Sequence, residues 1–172
     1  SALLECMQEL QVTVDGVSYG LAPPFMVIAT QNPIEYEGTY PLPEAEPDRF
    51  ALKVSIGYPS FSDEASMLVE QAESSPLDEL EPVASAEEVL TAIDTARHMY
   101  VDPSIAAYVT RILGATREDK RLFLGASPRA GITLLRVAKA RALLEGRGYV
   151  TPGDVKIVAG PVLGHRLLLS PE

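Results

Sequence analysis

The chain holds one cysteine, Cys6, no tryptophan and two histidines in 172 residues. A single thiol excludes a disulfide framework and a cysteine zinc site, and it suits a reducing, cytoplasmic setting. His98 and His165 lie far apart in sequence, so neither a His/Cys nucleophile pair nor a metal-ligand set is indicated. His98 stands late in a helical pattern, where a cation suits the dipole. His165-Arg166 reads as helix packing with a polar tip. No run of about 18 apolar residues occurs, so nothing reads as a membrane span. The first residues lack the basic stretch and apolar run of a secretory leader. The dipeptide Gly-Lys is absent, which leaves no place for the phosphate loop G-x-x-x-x-G-K-[ST]. No internal repeat is visible.

Basic residues are also missing between Lys53 and Arg97, a stretch that carries ten acidic ones. The net charge is -10, and outside that stretch 14 acidic residues balance 14 basic ones. The whole imbalance therefore lies in one segment. Such a face repels nucleic-acid phosphates, which argues against a DNA-acting protein such as a helicase. It serves as a solvated surface or as a docking face for a basic partner. Hydrophobic content of 47% with 22% charged residues is that of a globular chain, large enough for one domain or two small ones.

Periodicity divides the chain into an α/β part and an all-α part. Leu3, Leu4, Met7 and Leu10 recur at helical spacing. Alternating residues on either side of Asp15-Gly16, from Val12 to Tyr19, predict a β-hairpin. Phe25-Met-Val-Ile-Ala29 is a continuous apolar run, the mark of a strand buried on both faces of a parallel sheet. Pro43 to Asp48 suits one short helical turn, and Phe50 to Val54 reads as a second strand of that sheet. Gly57-Tyr58-Pro59 is the expected linker. Beyond it, a helix is predicted from Phe61 to about Ala72, then a loop from Ser74 to Pro82. Ser85 and Glu88 form a capping box ahead of a helix buried through Val89, Leu90, Ile93 and Ala96. Asp102-Pro103 starts another, buried through Ile105, Ala106, Val109 and Ile112. Ser127 opens a long helix with Ile132, Leu135, Ala138 and Ala142 inward and Arg136 and Lys139 outward, stopped by Gly146 and Gly148. Thr151 starts the last, through Val155, Val158 and Ala159.

Three stretches carry candidate chemistry. The apolar run Phe25–Ala29 passes into Thr30-Gln-Asn32 and stops at Pro33. Ligands of open α/β sheets sit beyond the carboxyl ends of strands, so Thr30 and Asn32 fall where a phosphate would lie. In Gly125-Ala-Ser-Pro-Arg-Ala130, Ser127 is a good N-cap and Pro128 suits the first helical position. Arg129 then sets a guanidinium beside first-turn amides, and both favour phosphate. Arg49 closes the string Pro43-Glu-Ala-Glu-Pro-Asp-Arg49. Each has a plainer reading: Asn32-Pro33 as a turn, Arg49 as a surface partner of Asp48 or Glu46, and Arg129 as an exposed helix-start residue. Glu35 and Glu37 form an acidic pair in a Gly/Tyr loop and make no case for paired-carboxylate hydrolysis.

The wording VIATQNPIEYEGTYPLPEAEPDRF, with GASPRA further on, resembles the MoxR family of AAA+ ATPases over nearly the whole chain. The resemblance implies a partial AAA+ P-loop NTPase core, a parallel-sheet remnant with a β-hairpin over residues 1–57, and a helical lid over 58–172. It implies that Asn32 is the sensor-1 residue orienting the attacking water, that Arg49 is the arginine finger lent to a neighbouring subunit, and that Arg129 is the sensor-2 arginine. Pro47 stands where the family pattern usually has an aliphatic residue. The implied reaction is ATP hydrolysis with Mg2+ in a homo-oligomeric ring, a hexamer, driving chaperone-like remodelling or maturation of protein complexes, often with a von Willebrand A-domain partner. The nucleotide loop and Mg2+ ligands are not among these residues, so the chain alone is expected to be inactive. A sheet remnant of this kind is expected to expose an edge and an apolar face. Core and lid are expected to meet only through the Gly57–Pro59 linker. A magnesium-chelatase-like subunit shares the same sensor and finger pattern. From another class, a non-catalytic helical interaction module is the alternative.

Overall fold

The computed structural model describes residues 2–30, 47–73 and 80–171. Helix α1 (Ala2–Glu9) leads into strands β1 (Gln11–Val14) and β2 (Val17–Gly20), paired antiparallel with Val14 opposite Val17. Asp15 and Gly16 have φ of 51° and 80°. A two-residue turn with both central residues in the left-handed region matches the twist of its strands, and Asp-Gly tolerates it best. The expected hairpin is therefore present.

The expected parallel strands are not. Phe25–Ala29 and Phe50–Val54 form no ladder. Met26 and Ile28 are 76% and 77% exposed, and Val54 is 69% exposed. A strand of a parallel sheet needs neighbours on its edges and helices on its faces. None of the described residues supplies them. An apolar run without partners has no reason to settle into a strand. Of the expected turn over Pro43–Asp48, residues 43–46 lie outside the described residues. Pro47–Arg49 form one 3-10 turn, which starts on the residue whose fixed φ suits such a turn.

Five helices follow the hairpin: α2 (Phe61–Glu73), α3 (Ala86–His98), α4 (Pro103–Glu118), α5 (Pro128–Leu144) and α6 (Pro152–Leu163). Ser85, Asp102, Ser127 and Thr151 each accept a backbone N–H as N-cap of α3 to α6, and Ser85 with Glu88 completes the capping box. These starts are where the sequence places them. The loop expected over Ser74–Pro82 lies mostly outside the described residues.

The burial of two helices departs from expectation. On α3, Val89, Leu90 and Ile93 are 38%, 38% and 45% exposed, and Ala96 is half-buried. Among the described residues α3 packs mainly on α5, so its apolar stripe is covered on one side only. On α5 the buried line is Ala130, Leu134, Ala138 and Ala142, whereas Ile132 is 56% exposed. Spacing of four residues puts that line on one face, and its alanines let α4 and α6 approach closely. In α4, Ile105, Val109 and Leu113 are buried and Ala106 is exposed. Val155, Val158 and Val162 complete the core from α6.

One element has no precedent in the periodicity. Strand β3 (Leu122–Leu124) pairs antiparallel with β4 (Leu168–Leu169), and Ser170 N–H donates to Arg121 O at 2.9 Å. Segments this short carry no detectable alternation. Because β3 precedes α5 and β4 follows α6, their pairing holds the start of α5 and the end of α6 at the same end of the helical region.

Candidate nucleotide-responsive site

Arg129 occupies the second position of α5 and is exposed. Ser127 fixes that helix start, its Oγ accepting from Ala130 N–H at 3.2 Å. The preceding loop is pinned from α4. Arg117 Nε donates to Ala126 O at 2.8 Å, and Ala126 N–H donates to Thr116 Oγ1 at 3.0 Å. A guanidinium beside first-turn amides, after a loop held at two points by α4, has the chemistry of a phosphate contact.

Arg49 is half-buried, and its Nη1 is shielded from solvent with no hydrogen-bond partner among the described residues. A buried donor without an acceptor is costly. Asn32 lies outside the described residues, as do Glu35, Glu37 and Glu46. No hydrogen bond or ion pair among the described residues joins Arg49 to Arg129.

The surroundings of Arg49 hold Arg166, which is more than a polar tip of the helix end. Arg166 is 7% exposed, and each of its five guanidinium N–H donors has an acceptor. Nε donates to Asp48 Oδ1 at 2.8 Å, and Nη2 to Asp48 O at 3.1 Å and Phe50 O at 2.6 Å. Nη1 donates to Ala51 O at 3.4 Å and to Val162 O. His165 Nε2 also donates to Phe50 O at 3.1 Å, and burial pushes the ring's pKa below the ordinary value. A cation just past the end of a helix is the available sequence signal for Arg166. Its partners 115 to 118 residues earlier are not legible in one sequence.

The reason this strap docks here is the end of α6. The last four carbonyls of a helix lack intrahelical donors. Gly160 O accepts Gly164 N–H at 2.9 Å, and Leu163 O accepts Arg166 N–H at 2.9 Å. Pro161 O accepts Lys53 N–H at 2.9 Å, and Val162 O accepts the Arg166 guanidinium. Two of the four are thus satisfied by a side chain or a distant backbone amide. The expectation that the two parts meet only through Gly57–Pro59 is corrected by these contacts.

Two family models match the chain. The ATPase family associated with various cellular activities (AAA) matches residues 1–52, and the AAA lid domain matches residues 114–172. Chaperone MoxR1 of Mycobacterium tuberculosis (strain ATCC 25618 / H37Rv) is 40% identical over 179 residues, covering 99% of this chain and 47% of that protein. This chain belongs to the MoxR group of AAA+ ATPases. The uncharacterized protein YeaC of Bacillus subtilis (strain 168) is 48% identical over 172 residues, covering 100% of this chain and 54% of that protein. A crystal structure of a protein from Cytophaga hutchinsonii ATCC 33406 superposes with a TM-score of 0.89 at 38% identity, covering 98% of this chain and 54% of that one. The fold is a partial AAA+ core with a helical lid. The MoxR-group chain spans about half the length of the curated relatives it matches. Asp48 falls within the stretch matching the AAA model and Arg166 within the stretch matching the lid.

Among the described residues the side chains of interest are cationic. Arg129 presents an exposed cation at a helix start, and Arg49 has an unmatched donor. No group of three or more His, Cys, Asp or Glu that could hold a metal ion occurs among them. Nor is any described helix long and apolar enough to cross a membrane.

Proposed function

We propose that this chain is the sensor, finger and lid portion of a ring-forming ATPase, a hexamer, which hydrolyses Mg-ATP to remodel or mature protein complexes. In this reading residues 1–57 belong to the core and 58–172 to the lid. Asn32 orients the attacking water, Arg129 contacts the nucleotide of its own subunit, and Arg49 neutralises charge developing on the phosphoryl group of the neighbour's nucleotide. Mg2+ and the triphosphate are held chiefly by residues outside this chain. A cytoplasmic location and a von Willebrand A-domain partner belong to the same reading.

The observation that carries the proposal is the pairing of an AAA match at residues 1–52 with a lid match at residues 114–172. Arg49 and Arg129 fall in the two respective stretches. Each has chemistry suited to a phosphate.

The test uses mixed rings of the full-length ATPase. Arg49→Ala should abolish hydrolysis while leaving nucleotide binding in place, because the finger acts on the neighbour. Mixing it with a variant whose own nucleotide site is disabled outside these residues should partly restore activity, since the two defects then fall in different sites. Assembled rings with no rescue at any mixing ratio would count against the finger. The 172-residue chain alone should show no micromolar ATP binding by calorimetry and no turnover.

A further inference from the structure

The residues on both sides of Arg49 are held by one guanidinium. Arg166 binds the carboxylate and carbonyl of Asp48 before it and the carbonyls of Phe50 and Ala51 after it. The clamp is buried on the side of Arg166, whose side chain is 3% exposed, and partly open at Asp48, at 36%. His165 and Pro161 add bonds to Phe50 O and from Lys53 N–H. The 3-10 turn that carries Arg49 is therefore attached to the end of α6 at several points. Arg49's own Nη1, in contrast, has no partner among the described residues. Its backbone is flanked by residues bonded to the helical region, and its Nη1 finds no acceptor there.

We propose that Arg166 is a positioning residue for Arg49, so that the lid of one subunit sets the reach of the arginine lent to the next. This rests on the finger reading of Arg49. The β3–β4 pairing adds the other half of the connection, because it holds the start of α5, with Arg129, at the same end as Arg166. A change in the lid at Arg129 and a change at Arg49 are thereby displacements of one packed unit. Coupling of this kind travels through rigid elements that share contacts.

Two variants separate positioning from mere stability. Arg166→Lys keeps a cation at the end of α6 but has three donors in place of five. Asp48→Asn keeps the shape on the half-exposed side and removes the charge pairing. In the full-length ring ATPase each should lower kcat on the order of a hundredfold with KM for ATP unchanged, because the finger is misplaced and the subunit's own nucleotide site is not. Arg49→Ala combined with Arg166→Lys should be no slower than Arg49→Ala alone, since both remove the same contact. In the 172-residue chain, the Lys53 amide should exchange its hydrogen faster in Arg166→Lys. Wild-type kcat in both single variants overturns the proposal. So do losses that multiply in the double variant, or an unchanged Lys53 exchange rate. If Arg49→Ala itself turns over normally, the finger reading fails and the positioning role fails with it. An inactive Arg49→Ala beside a fully active Arg166→Lys and Asp48→Asn overturns the positioning role alone.

Discussion

Arg147 grips Asp154 with two parallel hydrogen bonds, Nη1 to Oδ2 at 2.8 Å and Nη2 to Oδ1 at 2.5 Å. Asp154 is 2% exposed, and it also accepts from Thr151 N–H and Thr151 Oγ1 at 2.8 and 2.7 Å. One carboxylate thus caps α6, closes the turn from α5 and neutralises an arginine.

The Arg147 guanidinium first, and the Thr151 bonds after it, hold the Asp154 carboxyl well below its ordinary value of 3.8. A pKa depressed in the folded state gives stability that is complete above the unfolded value and is lost as pH falls below it. Asp154→Asn should therefore cost about 1.5–3 kcal/mol at neutral pH, the range for charge-assisted bonds. Below roughly pH 4 the deficit should shrink, because the wild type loses its own contribution there. Urea unfolding of both proteins from neutral pH to pH 3 measures this. Parallel stability curves across that range would show that the pair contributes nothing specific.

Gly125 and Gly131 give opposite expectations for the same substitution. A Cβ at Gly125 would lie 2.7 Å from Arg117 Cα and 2.8 Å from Thr116 O, both backbone atoms that cannot step aside. A Cβ at Gly131 would meet Leu113 Cδ1 at 2.6 Å, the end of a side chain that can rotate. Gly125→Ala should cost about 1–3 kcal/mol through overpacking. At Gly131 the gain of helix propensity, about 1 kcal/mol, offsets the strain, so alanine should be nearly neutral. Thermal melts of the two variants decide it, and a larger loss at Gly131 would refute the close approach of α4 to the loop before Arg129.

Leu134 is 0% exposed in the line of small residues where α4, α5 and α6 meet. Leu134→Ala should cost about 2–5 kcal/mol, whereas Ile132→Ala, on the exposed side, should cost much less. Denaturant midpoints of the pair test which residues face the core.

Local chemistry was the legible part of this sequence. Ser85, Asp102, Ser127 and Thr151 announce helix starts because a cap acts within three residues. Asp15-Gly16 announces its turn because two left-handed residues in a row admit few others. On α5 Ala138 and Ala142 are buried as expected and Leu135 packs against the core, whereas Ile132 faces out because the small Ala130 takes the inward place at that end of the helix. The strands at Phe25–Ala29 and Phe50–Val54 were misjudged because apolarity reports only that a segment wants cover. Whether cover exists depends on residues elsewhere. At the candidate site, Arg129 is predictable from its own helix start, while Arg166 is not, because its role lies in carbonyls 115 to 118 residues away along the chain.

Arg129 yields the prediction with the widest reach. It is exposed at the start of α5, and in the proposed function it meets the nucleotide from the lid while Asn32 meets it from the core. A bound triphosphate would then bridge the two regions, and hydrolysis would remove one side of the bridge. Arg129→Ala should remove a charge-assisted contact worth about 1.5–3 kcal/mol. That is roughly a tenfold to hundredfold loss in nucleotide affinity or in coupling. Lysine should rescue only in part, since it lacks the planar fork. Paired labels on lid and core of the full-length protein, read with an ATP analogue, with ADP and without nucleotide, measure the coupling. Because the 48–53 strap is bonded to the end of α6, the distance from Arg49 to the lid should stay constant across the three states. The distance from the lid to the hairpin should change. Three equal lid-to-hairpin distances, or an unchanged spread in Arg129→Ala, would reduce Arg129 to a surface residue at a helix start.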